Sequence, residues 1–148
     1  MPMTDREKLM AGILVAVIVI AAVAVALVAQ RNIKSTGRIK SVGGETWADE
    51  NRTIVLREID WGDFSPGDVK GVVFWAQNTG KINVTLSFNT TAWEPTNAAD
   101  YILYSWNYTG RVLPPGNIEP IALQCMASAS ITGITSFAND ITVYFTET

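Results

Sequence analysis

The chain has 148 residues, a formal net charge of −3 at neutral pH, no histidine and one cysteine. The lack of histidine excludes imidazole-based zinc and copper sites and Ser-His-Asp or Cys-His catalytic pairs, and a lone cysteine cannot form an intrachain disulfide. From Ser41 onward twelve acidic residues stand against five basic ones, a net charge of −7, so we expect no nucleic-acid partner.

The longest apolar run begins at Leu9 and ends at Ala29, with no charge, amide or proline over 21 positions. A helix of that length measures about 31 Å, and the hydrocarbon core of a bilayer is about 30 Å thick. We predict a cytoplasmic tail over residues 1–8 and a transmembrane helix over residues 9–29, with the lipid bilayer as partner. Two alternatives stay open: a secretory signal cleaved near Ala24-Val25-Ala26, and a pilin-type leader cut before the run.

Two opposing signals in the sequence bear on which side of the membrane the C-terminal domain lies. Two basic residues precede the apolar run and four follow it closely, which by the positive-inside rule would keep the domain in the cytoplasm. Four Asn-x-Thr sequons follow the run, and together they favour a glycosylated exterior. We give the sequons more weight and predict a single-pass protein of the cell membrane with its C-terminal domain outside. The predicted glycosylation sites are Asn51, Asn83, Asn89 and Asn107.

The segment after the helix is basic. Residues 30–41 carry four basic side chains and no acid, a composition typical of a solvated stalk that can also lie against anionic headgroups. We therefore assign residues 30–41 to a stalk and residues 42–148 to the extracellular domain.

Apolar residues in the domain alternate with polar ones at a period of two, and no segment has a convincing helical period. In residues 81–89, Val84 and Leu86 share one face with Ile82 and Phe88, while Asn83 and Asn89 lie on the other. Residues 69–77 are instead apolar on both parities, as expected for a strand covered on both faces or close to the membrane. Further strands are predicted at 53–59, 101–107, 121–127 and 141–146, with a possible seventh at 37–42, separated by turn residues.

The domain contains several short motifs: Ile59-Asp60-Trp61-Gly62, Ser65-Pro66-Gly67, Gln77-Asn78-Thr79-Gly80 and Leu113-Pro114-Pro115-Gly116. They are part of a resemblance that covers residues 35–148. With these motifs the chain resembles small single-pass archaeal surface proteins and, more distantly, immunoglobulin-like modules of exported proteins. The resemblance implies an all-β, immunoglobulin-like sandwich of about seven strands behind one N-terminal transmembrane helix. It implies no particular activity.

Few residues suggest a site. Trp47, Trp61 and Trp93 are predicted to lie in loops, where they could bind a sugar or simply pack over the ends of the sandwich. Asp60 and Asp63 flank Trp61, but no calcium-loop pattern surrounds them, so we expect no metal site and no catalysis. Cys125 lies on the apolar parity of its strand and is predicted to be a buried, inert thiol.

The sequence thus predicts a membrane-anchored structural or adhesive protein of the cell envelope, possibly a filament or surface-layer-associated subunit. No cofactor and no reaction are expected, and the partners would be other copies or other envelope proteins. The alternative is a ligand-binding or accessory module for a glycan, a peptide or a membrane complex. An extracellular enzyme is a third and less favoured possibility.

Overall fold

A computed structural model describes residues 33–148, and these residues form two β-sheets packed face to face. The predicted tail, the predicted transmembrane helix and residues 30–32 of the predicted stalk lie outside the described residues. Within residues 33–148 no helix is long and apolar enough to cross a membrane. The strands are β1 (Ile33–Val42), β2 (Glu45–Trp47), β3 (Glu58–Phe64), β4 (Val69–Gln77), β5 (Val84–Glu94), β6 (Ile102–Trp106), β7 (Ile118–Ala127) and β8 (Ser136–Glu147), with a 3₁₀ turn at Thr96–Asp100.

Each sheet has four strands. Sheet A has the order β3-β1-β8-β5, and sheet B has the order β2-β4-β7-β6. All neighbours are antiparallel except β1 and β8, which run parallel from Lys34↔Ser136 to Val42↔Tyr144. The registers place Ile33, Phe64 and Ser136 at one end of the sandwich, which we call the proximal end because the chain enters there from residue 32. Val84 and Glu147 lie at the opposite, distal end.

The core is built from the inward parity of both sheets. Phe64 and Ile141 from sheet A and Phe74, Ile121 and Leu123 from sheet B are at most 1% exposed. The predicted faces of β5 are confirmed, since Val84 and Leu86 are buried while Asn83 and Asn89 are exposed. Ile82 is 46% exposed because the strand begins only at Val84. The all-β, two-sheet prediction is confirmed, with eight strands rather than about seven.

The start of the sandwich differs from the sequence prediction. Residues 33–41, assigned to a solvated stalk, form nearly all of β1, a central strand of sheet A. Every second residue from Ile33 to Ile39 is buried, and the basic side chains between them point to solvent. The basic side chains concealed a period-two pattern, because long cations can line the exposed side of a strand whose other side is buried. The possible seventh strand at 37–42 is therefore real but begins four residues earlier.

A second difference concerns residues 53–64. The predicted strand at 53–59 is mostly irregular, with only an isolated bridge at Val55, and the strand in this region is instead Glu58–Phe64. The segment Ile59-Asp60-Trp61-Gly62 therefore lies within a strand of sheet A. The strand at 69–77 has the predicted bounds.

Candidate interaction surfaces

All four sequon asparagines have exposed side chains in the structure: Asn51, Asn83, Asn89 and Asn107. Asn83 and Asn89 lie at and along β5, the edge strand of sheet A, and Asn107 follows β6, the edge strand of sheet B. Asn51 lies in the loop between β2 and β3. The sequons are thus spread over the sandwich, and none of their asparagines contributes to its core.

The loop that presents Asn51 is closed by a single carboxylate. Asp49 Oδ1 accepts hydrogen bonds at 2.9 Å from the backbone N–H groups of Thr53 and Ile54, and the Thr53 hydroxyl donates to the same carboxylate. The Thr53 hydroxyl and then the Ile54 N–H stabilise the charged form, which lowers the pKa of Asp49 from its usual 3.8. Arg52 takes a left-handed conformation with φ of 58° in this turn. Asn51 is therefore held at the tip of an ordered turn.

The outer face of sheet A is polar over its whole width, and we call it the polar face. On the β5 and β8 side it consists of hydroxyl, amide and phenol groups from Thr85, Ser87, Asn89, Thr142 and Tyr144, in which Asn89 pairs with Thr142 and Ser87 with Tyr144. Such a surface is well solvated and suits the carbohydrate that a sequon would carry.

The β1 side of the polar face carries charge. Arg38 Nε donates to Asp140 Oδ1 at 2.9 Å, and Lys40 Nζ lies 3.3 Å from Asp140 Oδ2. The carboxylate is mostly covered, with 10% of its side chain exposed, whereas the two basic side chains are 71% and 63% exposed. Asp140 therefore pairs with two of the basic residues that suggested a stalk, and the cluster of three keeps one net positive charge.

The three tryptophans predicted as a surface group are not in loops and do not form one platform. Trp61 lies in β3 and is only 5% exposed, with its ring centroid 5.9 Å from that of Tyr104. Trp93, at the end of β5, is half-buried, and its ring centroid is 6.0 Å from that of Tyr104. Trp47 lies in β2 of the other sheet, where its Nε1 donates to Gln77 Oε1 at 3.1 Å.

Trp61 packs against β1 at Gly37. A Cβ at Gly37 would lie 3.5 Å from Trp61 Nε1, an ordinary contact, and 3.3 Å from Ile141 Cδ1, which would have to shift slightly. Trp61 is part of the core and Trp93 packs against the core, which agrees with the packing alternative for these two residues. The other two tryptophans, Trp75 and Trp106, are half-buried within β4 and β6.

The remaining chemical candidates have structural roles. Cys125 is fully buried, as predicted, and burial raises the pKa of its thiol to about 12. Burial also raises the pKa of Tyr104, whose hydroxyl donates to Asn139 Oδ1 at 2.9 Å. Asp60 Oδ1 accepts from the backbone N–H of Gly62, which turns with φ of 70°. In the described part of the chain no cluster of His, Cys, Asp or Glu has a geometry for metal.

The outer face of sheet B differs from the rest of the surface because its central rows carry no charge, and we call it the apolar face. The first row, at the proximal end, joins Val69, Met126 and Leu103 across three strands. Toward the distal end follow Gly71 with Gln124 and Ser105, then Val73 with Ala122, and then Trp47 with Trp75 and Pro120. The distal border of the face is a row of Glu45, Gln77 and Ile118, which carries one carboxylate.

Four side chains of the apolar face are exposed to an extent unusual for their size: Leu103 63%, Val69 50%, Val73 47% and Met126 39%. Asn107 lies at the rim, where its Oδ1 accepts from the backbone N–H of Ala122 at 2.9 Å. Its side chain is therefore tied to the backbone of β7 at the edge of the apolar face.

Sequence reasoning did not identify this surface, although its signal was present. Residues 69–77 are apolar on both parities, which predicts a strand covered on both faces. In residues 33–148 only the inner face of that strand is covered.

Neither a protein-family model nor a curated protein sequence matches the chain.

Proposed function

We propose that the protein is a single-pass, membrane-anchored component of the cell envelope whose β-sandwich faces the exterior. It acts by presenting surfaces, as a structural or adhesive subunit of an envelope or filament assembly. Residues 9–29 form the anchor, and Asn51, Asn83, Asn89 and Asn107 carry glycans. We assign the sandwich to the immunoglobulin-like modules and the chain to the small archaeal surface proteins that its motifs resemble.

The exposure of all four sequon asparagines carries the proposal. A sequon can be modified only where its asparagine is accessible, and each of the four is. The glycans would project from sheet edges and a loop, so the core would not be disturbed. The apolar run ends at Ala29, four residues before β1, which supports an anchor joined to the domain by a very short connection.

A second candidate function is an accessory module that docks on a membrane complex. The uncharged apolar face favours it, since a solvent-exposed apolar patch commonly marks a contact with another protein. The two functions share the anchor and the outward orientation. They differ in whether the partner of the apolar face is another copy of this chain or a different protein.

Protease treatment of intact cells tests the orientation. We expect the protease to remove residues 33–148 and to leave a small membrane-bound fragment that contains residues 9–29. Complete protection of the domain in intact cells, with cleavage after lysis, would contradict the exterior assignment.

Mass spectrometry of tryptic peptides tests glycosylation, and Thr109 offers a matched pair of variants. Thr109→Ala destroys the sequon of Asn107 and leaves that asparagine in place, whereas Thr109→Ser keeps the sequon. We expect the glycan mass on Asn107 to be lost in the first variant and retained in the second. Unmodified asparagines at all four sequons in the native protein would remove the main support for the proposal.

A further inference from the structure

Strand β4, at the centre of the apolar face, has the sequence of a strand that is buried on both of its faces. Strand β4 places Phe74 and Ala76 in the core at 0% exposure, and on its other side Val69 and Val73 are half exposed. Strands with apolar residues on both parities normally have both faces covered. A further layer on sheet B would complete that environment.

The composition of the face restricts what this layer can be. An amphipathic surface that lies on anionic lipid combines apolar side chains with Lys or Arg, and the rows of the apolar face contain neither. A strongly charged partner would find no opposite charge on it. The apolar face of a second copy needs neither basic residues nor an opposite charge. Two such faces can meet without like-charge repulsion, although each domain is acidic overall.

The point at which the chain enters the domain favours the same partner. The apolar run ends four residues before Ile33, and Ile33 lies at the proximal end, the same end of the sandwich as the row that joins Val69, Met126 and Leu103. Two copies anchored in one bilayer therefore hold their proximal ends at the same height. Their apolar faces can then meet side by side, with every row of one copy level with the same row of the other.

We propose that two copies of this chain associate through their apolar faces, about a twofold axis that runs along the strands. In this arrangement β4 of one copy packs against β7 of the other, and the reverse contact is identical, as a twofold interface requires. This inference rests on the proposed function, since the common height of the two copies comes from a membrane anchor.

The size of the face predicts how strong this association is. Four strands spaced ~4.8 Å apart and about seven residues long give roughly 400 Å² per copy. Stable interfaces bury about 800 Å² per partner, so the dimer is weak when the chains are free in solution. Anchoring in one bilayer raises the effective concentration of each copy for the other and compensates for the small area.

Crosslinking of the full chain in lipid vesicles tests the contact. Gln124 is exposed near the centre of the apolar face, and Ser87 is exposed on the polar face. With a short bismaleimide we expect Gln124→Cys to give a covalent dimer and Ser87→Cys to give little. Wild-type chain is the background control, because Cys125 is fully buried. The dimer yield should not fall when the vesicles are diluted, since the copies share one bilayer.

Charge placed on the face provides the second measurement. The pair Val69→Lys with Val73→Lys should lower the crosslinking yield of Gln124→Cys by about tenfold, and so should the corresponding Glu pair, since like charges then meet. Mixing the Lys chain with the Glu chain should restore crosslinking. The matched control is Ile82→Lys with Val112→Lys, which changes side chains of similar exposure (46% and 50%) away from the face and should have no effect.

Three results would overturn the inference. Equal dimer yields from Gln124→Cys and Ser87→Cys would mean that the copies meet at random. A Gln124→Cys thiol that is fully accessible to reagent but gives no dimer would mean that no second copy covers the face. Loss of that thiol's accessibility without a dimer would mean that lipid covers the face. Flotation of the vesicles measures separately whether the chain is anchored in the bilayer. Chains that float with the vesicles but do not crosslink contradict this inference alone. Chains that do not float contradict the proposed function as well.

Discussion

The outer faces of the two sheets are built on the same β-strand alternation but have opposite chemistry. The polar face of sheet A combines hydroxyl and amide groups with the cluster of Arg38, Lys40 and Asp140. The apolar face of sheet B carries exposed Leu103, Val69 and Val73 and no charge in its central rows. The first resembles an ordinary solvated sheet surface, whereas the second resembles half of a contact.

The contrast shows where information about partners lies in a sandwich. The inward residues of both sheets are alike, because any apolar core of the right volume closes the fold. The outward residues differ most, and they are freer to differ because they do not fill the core. A surface that departs from the usual polar outer face is therefore informative about contacts beyond the chain.

The largest expected effect tests whether inner and outer parities are assigned correctly in both sheets. Leu86→Asp and Leu123→Asp would each bury an unpaired charge, since these leucines are 7% and 1% exposed. We expect each to destabilise the domain by about 4 kcal/mol or more, close to loss of the fold. The neighbours Ser87→Asp and Gln124→Asp point outward and should stay within about 0.5 kcal/mol. Urea denaturation measures all four, and equal damage from Leu86→Asp and Ser87→Asp would reverse the faces.

An intermediate effect sharpens the description of the polar face. Asp140→Asn keeps the shape of the side chain but removes the charge that pairs with Arg38 and Lys40. Both cations are largely exposed, so we expect a loss of about 1 kcal/mol, smaller in high salt. Glu147→Gln, at the exposed end of the same strand, is the control and should be neutral. A cost that does not change with salt would mean that Asp140 acts by packing and not by charge.

The smallest expected effect concerns the turn that presents Asn51, which borders the apolar face beyond β2. The pKa of Asp49 is lowered in the folded state, so its stabilising hydrogen bonds are complete above pH 3.8 and are lost as the pH falls through the lower folded pKa. Amide exchange by NMR should show Thr53 and Ile54 losing protection in that range. Leu56, whose N–H donates to the backbone oxygen of Thr46, is the internal control and should keep its protection. In Asp49→Asn the acid dependence should disappear.

The alternating strands could be predicted from sequence because burial on one face leaves a period of two. This succeeded for Val84 and Leu86, and the bounds of Val69–Gln77 agree with the prediction. Burial of Cys125 was predicted from the same parity rule.

The failures have a common physical origin in contacts between residues far apart in sequence. The basic side chains of β1 are typical of a solvated segment, whereas its central position depends on pairing with β3 and β8, and β8 lies about 100 residues away. Trp61 was assigned to a loop because the predicted strand ended at residue 59. Its burial depends on partners far away in the sequence, such as Tyr104, whose ring centroid is 5.9 Å away. The apolar face was missed because parity shows which residues point outward and not what covers them.

The parallel pairing of the first and last strands has a mechanical consequence. Tension applied at Ile33 along β1 acts on six residue pairs with β3 and nine with β8 at once, because β1 lies between these two strands. Its hydrogen bonds are then loaded in shear together, whereas a strand peeled from an edge breaks them one after another. A domain pulled from this end therefore resists force through the middle of a sheet.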